Sequence, residues 1–144
     1  MSKNDEKMKS FLGEWDLDTS DKFDELMKVY EVSWITRQAA NKLIPRVTFK
    51  KLDDGSYEWH SATRLKSTKF VFKLDEECEE TTADDNKVKT KVSFESEDSH
   101  VLKQIQEHDK RARTEISREI KDDKLVMIIK AKDVVCTRTY KRVV

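Results

Sequence analysis

From Arg46 onward the chain is a succession of short runs in which apolar and polar residues alternate, each ending at a polar turn. The runs are Val47 to Leu52, Tyr57 to Thr63, Phe70 to Leu74, Val88 to Phe94, Leu102 to Gln106, Thr114 to Ile120, Leu125 to Ile129 and Val134 to Tyr140. A period of two sends successive side chains to opposite faces, which is the pattern of a half-buried strand. Turn candidates lie between them, among them Asp53-Asp54-Gly55, Asp84-Asp85-Asn86, Glu97-Asp98-Ser99 and Asp122-Asp123. A spacing of about ten residues suits an antiparallel meander, and the links are too short for the crossover helices of a parallel sheet. So long a meander removes its exposed edges by closing into a barrel or folding into a sandwich. With only 2 glycines in the chain, Asn and Asp are expected at most left-handed turn positions.

Three of these runs present an apolar face to one interior, and two of the faces carry an arginine. Thr114, Ile116, Arg118 and Ile120 share a face, as do Val134, Cys136, Arg138 and Tyr140, while Leu125, Met127 and Ile129 form an uncharged face between them. An unpaired cation in an apolar interior costs several kcal/mol. The alternation reveals no inward carboxylate, so the missing anion is expected to be a ligand.

The 144 residues suit one domain, spanning residues 1–144, with a single core. Lys plus Arg equal Asp plus Glu at 29 each, so no bulk field draws the chain to nucleic acid or to an anionic membrane. The N-terminal stretch is polar, no segment approaches the roughly 20 apolar residues of a membrane span, and a soluble, unsecreted, cytoplasmic protein is expected. Cys78 and Cys136 are too few and too far apart for a disulfide framework, which agrees with a reducing compartment and free thiols.

Helical periodicity appears once, early. Ser20 is a candidate cap for a helix carrying Phe23, Leu26, Met27 and Tyr30, and Ser33 for a second carrying Trp34, Ile35 and Gln38, before Pro45 closes the region. The pair has the outline of a helix-turn-helix, but its charges are mixed and no long recognition helix follows, so no nucleic acid partner is expected. Lys22, Lys28, Arg37 and Lys42 lie on this segment as candidate contacts to an anionic membrane surface. His60, His100 and His108 are too scattered for metal ligands. No nucleophile elbow or phosphate loop occurs, and neither an enzyme nor a cofactor is expected.

The run Phe11-Leu12-Gly13-Glu14-Trp15-Asp16-Leu17, with Ser20, Phe23-Asp24 and Thr36-Arg37-Gln38 after it, resembles the opening of the intracellular lipid-binding proteins, the fatty-acid-binding protein family. The resemblance continues through Phe72-Lys73-Leu74, Glu79-Glu80-Thr81-Thr82-Ala83-Asp84-Asp85, Lys87-Val88-Lys89 and Val135-Cys136-Thr137-Arg138-Thr139-Tyr140. Within the family the pattern is similar to the heart, adipocyte and myelin type, and Val32-Ser33-Trp34 resembles flatworm members.

This resemblance implies an all-β fold: a ten-stranded antiparallel up-and-down barrel capped by a two-helix lid over about residues 20–42, with residues 1–9 a flexible extension. It implies a monomeric intracellular carrier of one long-chain fatty acid, whose carboxylate is held by Arg118, Arg138 and Tyr140. A guanidinium offers a planar fork matched to a carboxylate, and the tyrosine hydroxyl adds a donor while its ring packs against apolar neighbours. The tail-facing positions implied are Phe23, Met27, Val32, Pro45, Leu65, Ala83, Asp84, Ile116, Met127 and Ile129. Two alternatives stay open: a retinoid carrier, since a retinoid carboxylate suits the same trio, and a membrane-associating structural protein of the myelin type.

The chain departs from the family pattern in places. Leu65 stands where a phenylalanine often folds over the tail, and Glu31 and Asp75 stand where glycine is common. Extra residues precede Phe11 and others fall between Glu95 and Arg113. Cys136, beside Arg138, is a candidate reactive thiol if the cation lowers its pKa.

Overall fold

The alternating runs become strands of one sheet, and two strands join them that alternation alone does not announce. In the computed structural model, which describes residues 2–144, the chain order is α1 (Lys3–Met8), β1 (Gly13–Asp21), α2 (Phe23–Val29), α3 (Trp34–Asn41), β2 (Arg46–Lys51), β3 (Tyr57–Ala62), β4 (Ser67–Phe72), β5 (Glu77–Thr81), β6 (Lys87–Phe94), β7 (Leu102–Glu107), β8 (Thr114–Lys121), β9 (Lys124–Ala131) and β10 (Val134–Arg142). The sheet order is β4-β3-β2-β1-β10-β9-β8-β7-β6-β5. β1 closes the circuit by pairing with β2 through Gly13 to Asp16 and with β10 from Trp15↔Arg142 to Asp21↔Thr137. A register shift between Leu17 and Thr19 bends it between these partners. The edges β4 and β5 approach one another beside Cys78, whose thiol lies 4.0 Å from the Val71 carbonyl. The result is an antiparallel barrel, nearly closed, with short helices at its ends.

The turns show how a glycine-poor chain makes such bends. Asp75, Asp85, Asp122 and Asp123 adopt positive φ, as do Lys22, Glu31 and Lys132. Aspartate supplies most of these positions, while no asparagine does so. Glu31 and Asp75 thus keep the left-handed backbone that glycine adopts more cheaply.

Ser20 does not cap α2. It lies within β1, and the cap position falls to Lys22, which is left-handed and makes no side-chain cap bond. Ser33 does cap α3, its hydroxyl accepting from the Thr36 amide at 3.4 Å. α2 buries Leu26 and Met27, whereas α3 buries no residue and leaves Trp34 and Ile35 exposed. Arg37 ties the helices together, donating to Asp24 at 3.0 Å and to the Val32 carbonyl at 2.8 Å.

The largest departure from expectation is at the N-terminus. Residues 3–8 form α1 where the sequence suggested a flexible extension; Met1 lies outside the described residues. Met8 is fully buried in the core that contains Phe11, Trp15 and Phe49. Lys7 is also buried, donating to the carbonyls of Ser96 at 3.3 Å and Ser99 at 2.8 Å with its ammonium 4.5 Å from the Phe94 ring centre. The Tyr57 hydroxyl donates to Asp5. That bond and the one from Ser2 hold the Asp5 carboxyl below its usual range. The two stretches in excess of the family pattern therefore meet, α1 resting on the 95–100 loop.

A helix that places a methionine in the core contributes to stability as a tail cannot. Met8→Ala is expected to lower the unfolding free energy by about 2–5 kcal/mol, measured by denaturant titration. A change below about 0.5 kcal/mol, the scale of surface substitutions, would show that α1 is detached from the core.

Candidate functional site

Strand register brings the arginines of the sequence analysis together. Ile116, Ile129 and Cys136 form one rung across β8, β9 and β10; Arg118, Met127 and Arg138 form the next; Ile120, Leu125 and Tyr140 form a third. Arg118 and Arg138 therefore flank Met127 on strands two apart, about 10 Å between backbones. Arg118, Arg138 and Tyr140 are each at most 5% exposed.

Arg118 donates from Nη1 to Gln104 Oε1 at 2.7 Å and lies with its guanidinium carbon 4.3 Å from the Trp59 ring centre. Its buried Nε has no hydrogen-bond partner, the one such side-chain atom among the described residues. Burial pulls its pKa down to about 10. Gln104 passes the interaction on, donating from Nε2 to Glu80 Oε1 at 2.8 Å and to Thr90 Oγ1 at 2.9 Å, and Gln106 donates to the same Glu80 oxygen at 2.9 Å. Burial raises the Glu80 carboxyl above its usual value, against the opposing effects of Gln106 and Arg118.

Glu80 corrects the expectation that no carboxylate points inward. It sits on β5, where glutamates occupy both faces and apolar alternation disappears, so the sequence offered no contrast to mark the interior. The usable signal was register: Cys78 lies opposite Thr90 and Glu80 opposite Val88, both buried positions of β6.

Arg138 has different company. Its Nη1 donates to Ser20 Oγ at 3.1 Å and its guanidinium carbon lies 3.9 Å from the Phe23 ring centre. Phe23, expected along a tail, thus packs on a cation, and Ser20, expected as a helix cap, is a polar neighbour of the site. The Cys136 thiol does not have the lowered pKa expected beside Arg138. It is fully buried, and desolvation raises its pKa to about 11 despite the opposing pull of Arg138.

The other expected positions differ in burial. Met27, Ile116, Met127 and Ile129 are buried. Val32 and Pro45 are half-buried, while Leu65 and Ala83 are exposed on the β3–β4 and β5–β6 turns. Lys66 links these turns by donating to the Ala83 carbonyl at 2.7 Å and to Asp85 at 2.9 Å. Asp84 accepts from Arg111 Nε and Nη2, each at 3.0 Å, and burial would raise its carboxyl were it not for these bonds, which hold it low. The same guanidinium donates to Gln106 at 3.3 Å and lies 3.6 Å from the Tyr30 ring centre at the end of α2. One side chain thereby clasps lid, turn and barrel wall, a role that nothing in the alternation announced. A cleft of about 590 Å³ beside the clasp is lined by Glu25, Lys28, Tyr30 and Arg111 among others, and one of about 360 Å³ lies against α1 at the opposite end. Neither is lined by the buried arginines.

The fold agrees with comparisons to known proteins. A sodium/calcium exchanger regulatory protein 1 from Doryteuthis pealeii is 38% identical over 91% of this chain and 95% of its own length. A cellular retinoic acid-binding protein 2 from Rattus norvegicus is 35% identical over 94% of this chain and 99% of its own. The solved structure of a Schistosoma mansoni fatty acid binding protein in complex with arachidonic acid superposes with a TM-score of 0.86, at 37% identity, covering 96% of this chain and 99% of that one. The lipocalin / cytosolic fatty-acid binding protein family matches residues 12–143, the whole barrel, and the chain belongs to that family.

Proposed function

We propose that this chain is a noncatalytic, monomeric cytosolic carrier that binds one long-chain fatty acid inside the barrel, with the carboxylate held by Arg118, Arg138 and Tyr140. The observation that carries this reading is the Arg118 Nε, a charged donor at full burial with no partner, facing the same interior as Arg138. A carboxylate oxygen answers that donor, and charge-assisted bonds gain strength in a poorly solvated interior. Met27, Ile116, Met127 and Ile129 offer the tail an apolar, undirected wall. Each methylene removed from water contributes about 0.8 kcal/mol before ordering losses, enough for micromolar or tighter binding of a long chain. The relative that binds arachidonic acid supports this choice, and the retinoic acid-binding relative keeps a retinoid as the second reading.

Exchange is assigned to the lid end, where Leu65 and Ala83 are exposed and the Arg111 clasp joins α2 to the β5–β6 turn. Trp34 and Ile35, 64% and 76% exposed on α3, form an apolar prow for transient contact with a membrane surface, flanked by the exposed Lys22, Lys28 and Lys42. Arg37 does not join them, because Asp24 and the Val32 carbonyl already hold it.

Solvent extraction of the purified protein followed by mass spectrometry is expected to recover long-chain fatty acid in near-stoichiometric amount; recovery of a retinoid instead would favour the second reading, and an empty barrel would count against both. Arg138→Gln is expected to weaken fatty-acid binding by about 1.5–3 kcal/mol, the scale of a charged hydrogen bond, with a smaller loss for the matching alcohol in titration calorimetry. Equal losses for acid and alcohol would refute the head-group role. Arg111→Ala should accelerate ligand release in stopped-flow displacement, and an unchanged release rate would show that the clasp does not limit exchange.

A further inference from the structure

The buried arginines do not face the ligand alone, because Glu80 shares their interior. Glu80 Oε1 accepts from two amides, Gln104 at 2.8 Å and Gln106 at 2.9 Å, bonds that favour its ionised form. Gln104 is fixed in orientation: its carbonyl oxygen takes the Arg118 bond at 2.7 Å while its nitrogen serves Glu80 and Thr90. Flipping the amide would turn N–H toward the guanidinium and oxygen toward the carboxylate, losing the bonds to Arg118 and Glu80 and keeping only that to Thr90, whose hydroxyl can donate instead. A single glutamine amide thus holds Glu80 and Arg118 apart while coupling them.

Charge counting follows. Arg118 and Arg138 bring two positive charges and Glu80 one negative, leaving +2 − 1 = +1 in the interior. The nearby Arg111 and Asp84 cancel within their own bidentate pair, and Lys7 is bound to loop carbonyls beside α1. Asp21 and Glu25, which act on Cys136 beside Arg138, are exposed and screened by solvent, and Thr90, Cys78 and the two glutamines carry no charge; the Cys78 thiol is itself pushed up by burial and by Glu80. One monoanionic head neutralises this interior, while a dianionic head overshoots it and meets Glu80 across a poorly screened gap.

We propose that Glu80 is a specificity-determining residue that limits the head group to a single negative charge, disfavouring a dianionic phosphate against the monocarboxylate that Arg118 and Arg138 prefer to a neutral alcohol. This rests on the carrier reading above. A purely structural Glu80 would alter stability, or all affinities together, and leave their ratios unchanged. The ratio among heads of equal tail is therefore the diagnostic quantity.

The test uses delipidated full-length protein and three ligands with one sixteen-carbon tail: hexadecanol, hexadecanoate and hexadecyl phosphate, titrated calorimetrically at a pH where the phosphate is dianionic. Wild type should bind hexadecanoate tightest. Glu80→Gln, nearly isosteric, should raise affinity for the phosphate relative to the alcohol by about tenfold to a hundredfold, as expected for removing one like charge at short range with an intermediate dielectric. Glu80→Asp keeps the charge and should keep the wild-type order, and Glu79→Gln, which removes an outward-facing charge from the same strand, should leave all three affinities unchanged. Thermal melts of each variant confirm folding. If Glu80→Gln shifts all three ligands by one factor, or if wild type binds the phosphate as tightly as the acid, the charge limit is wrong while the carrier reading survives. If wild type binds no hexadecanoate, the carrier reading fails and the charge limit falls with it.

Discussion

Holding two guanidinium groups inside an apolar barrel is the constraint around which the rest of the molecule is arranged. The protein meets the desolvation cost without committing a carboxylate directly to either cation. Arg118 lies on Trp59 and bonds to a neutral amide; Arg138 lies on Phe23 and bonds to a hydroxyl. Aromatic faces and neutral acceptors ease burial while leaving the charge largely uncompensated. Arg111 is the contrast within the same chain, for it takes a bidentate carboxylate and becomes a fastener. The three arginines thus differ in their direct partners: a neutral amide for Arg118, a hydroxyl for Arg138 and a carboxylate for Arg111.

The barrel divides its interior accordingly. β2 and β4 contribute Val47, Phe49, Phe70 and Phe72, whereas β5 to β7 contribute Glu80, Thr90, Gln104 and Gln106. The polar wall stands next to the strand carrying Arg118, since β7 and β8 are neighbours that pair Gln104 with Ile116 and Leu102 with Arg118. The seam between β4 and β5 is also where the apolar wall gives way to the polar one.

Much of this was legible in the sequence, because burial on one face of a strand leaves a period of two that survives most substitutions. The faces of β8, β9 and β10 were readable residue by residue, and with them Arg118, Arg138 and Tyr140. β5 was not, because a strand whose inward and outward residues are both acidic has no hydrophobic contrast; its place in the ten-strand count came from family resemblance. Glu80 was hidden for the same reason. Ser20 carries the wrong local signal, because serine before an amphipathic stretch commonly caps a helix, while here the strand runs on to Asp21 and a left-handed Lys22 makes the turn. The ordering of α1 and the Arg111 clasp depend on contacts between segments 27 to 92 positions apart in the chain, such as Arg111 with Asp84, Asp5 with Tyr57 and Lys7 with Ser99, and no local pattern records these.

The pairing of β1 with β10 has a consequence for how the protein is made. These strands meet at Trp15 and Arg142, so the first strand to emerge from the ribosome waits for the last before the sheet can close, the kind of long-range pairing that slows folding. Arg138 and Tyr140 arrive on that same last strand. Until β10 is in place the sheet has no wall between β1 and β9, and Arg118 and Arg138 do not yet share the rung at Met127.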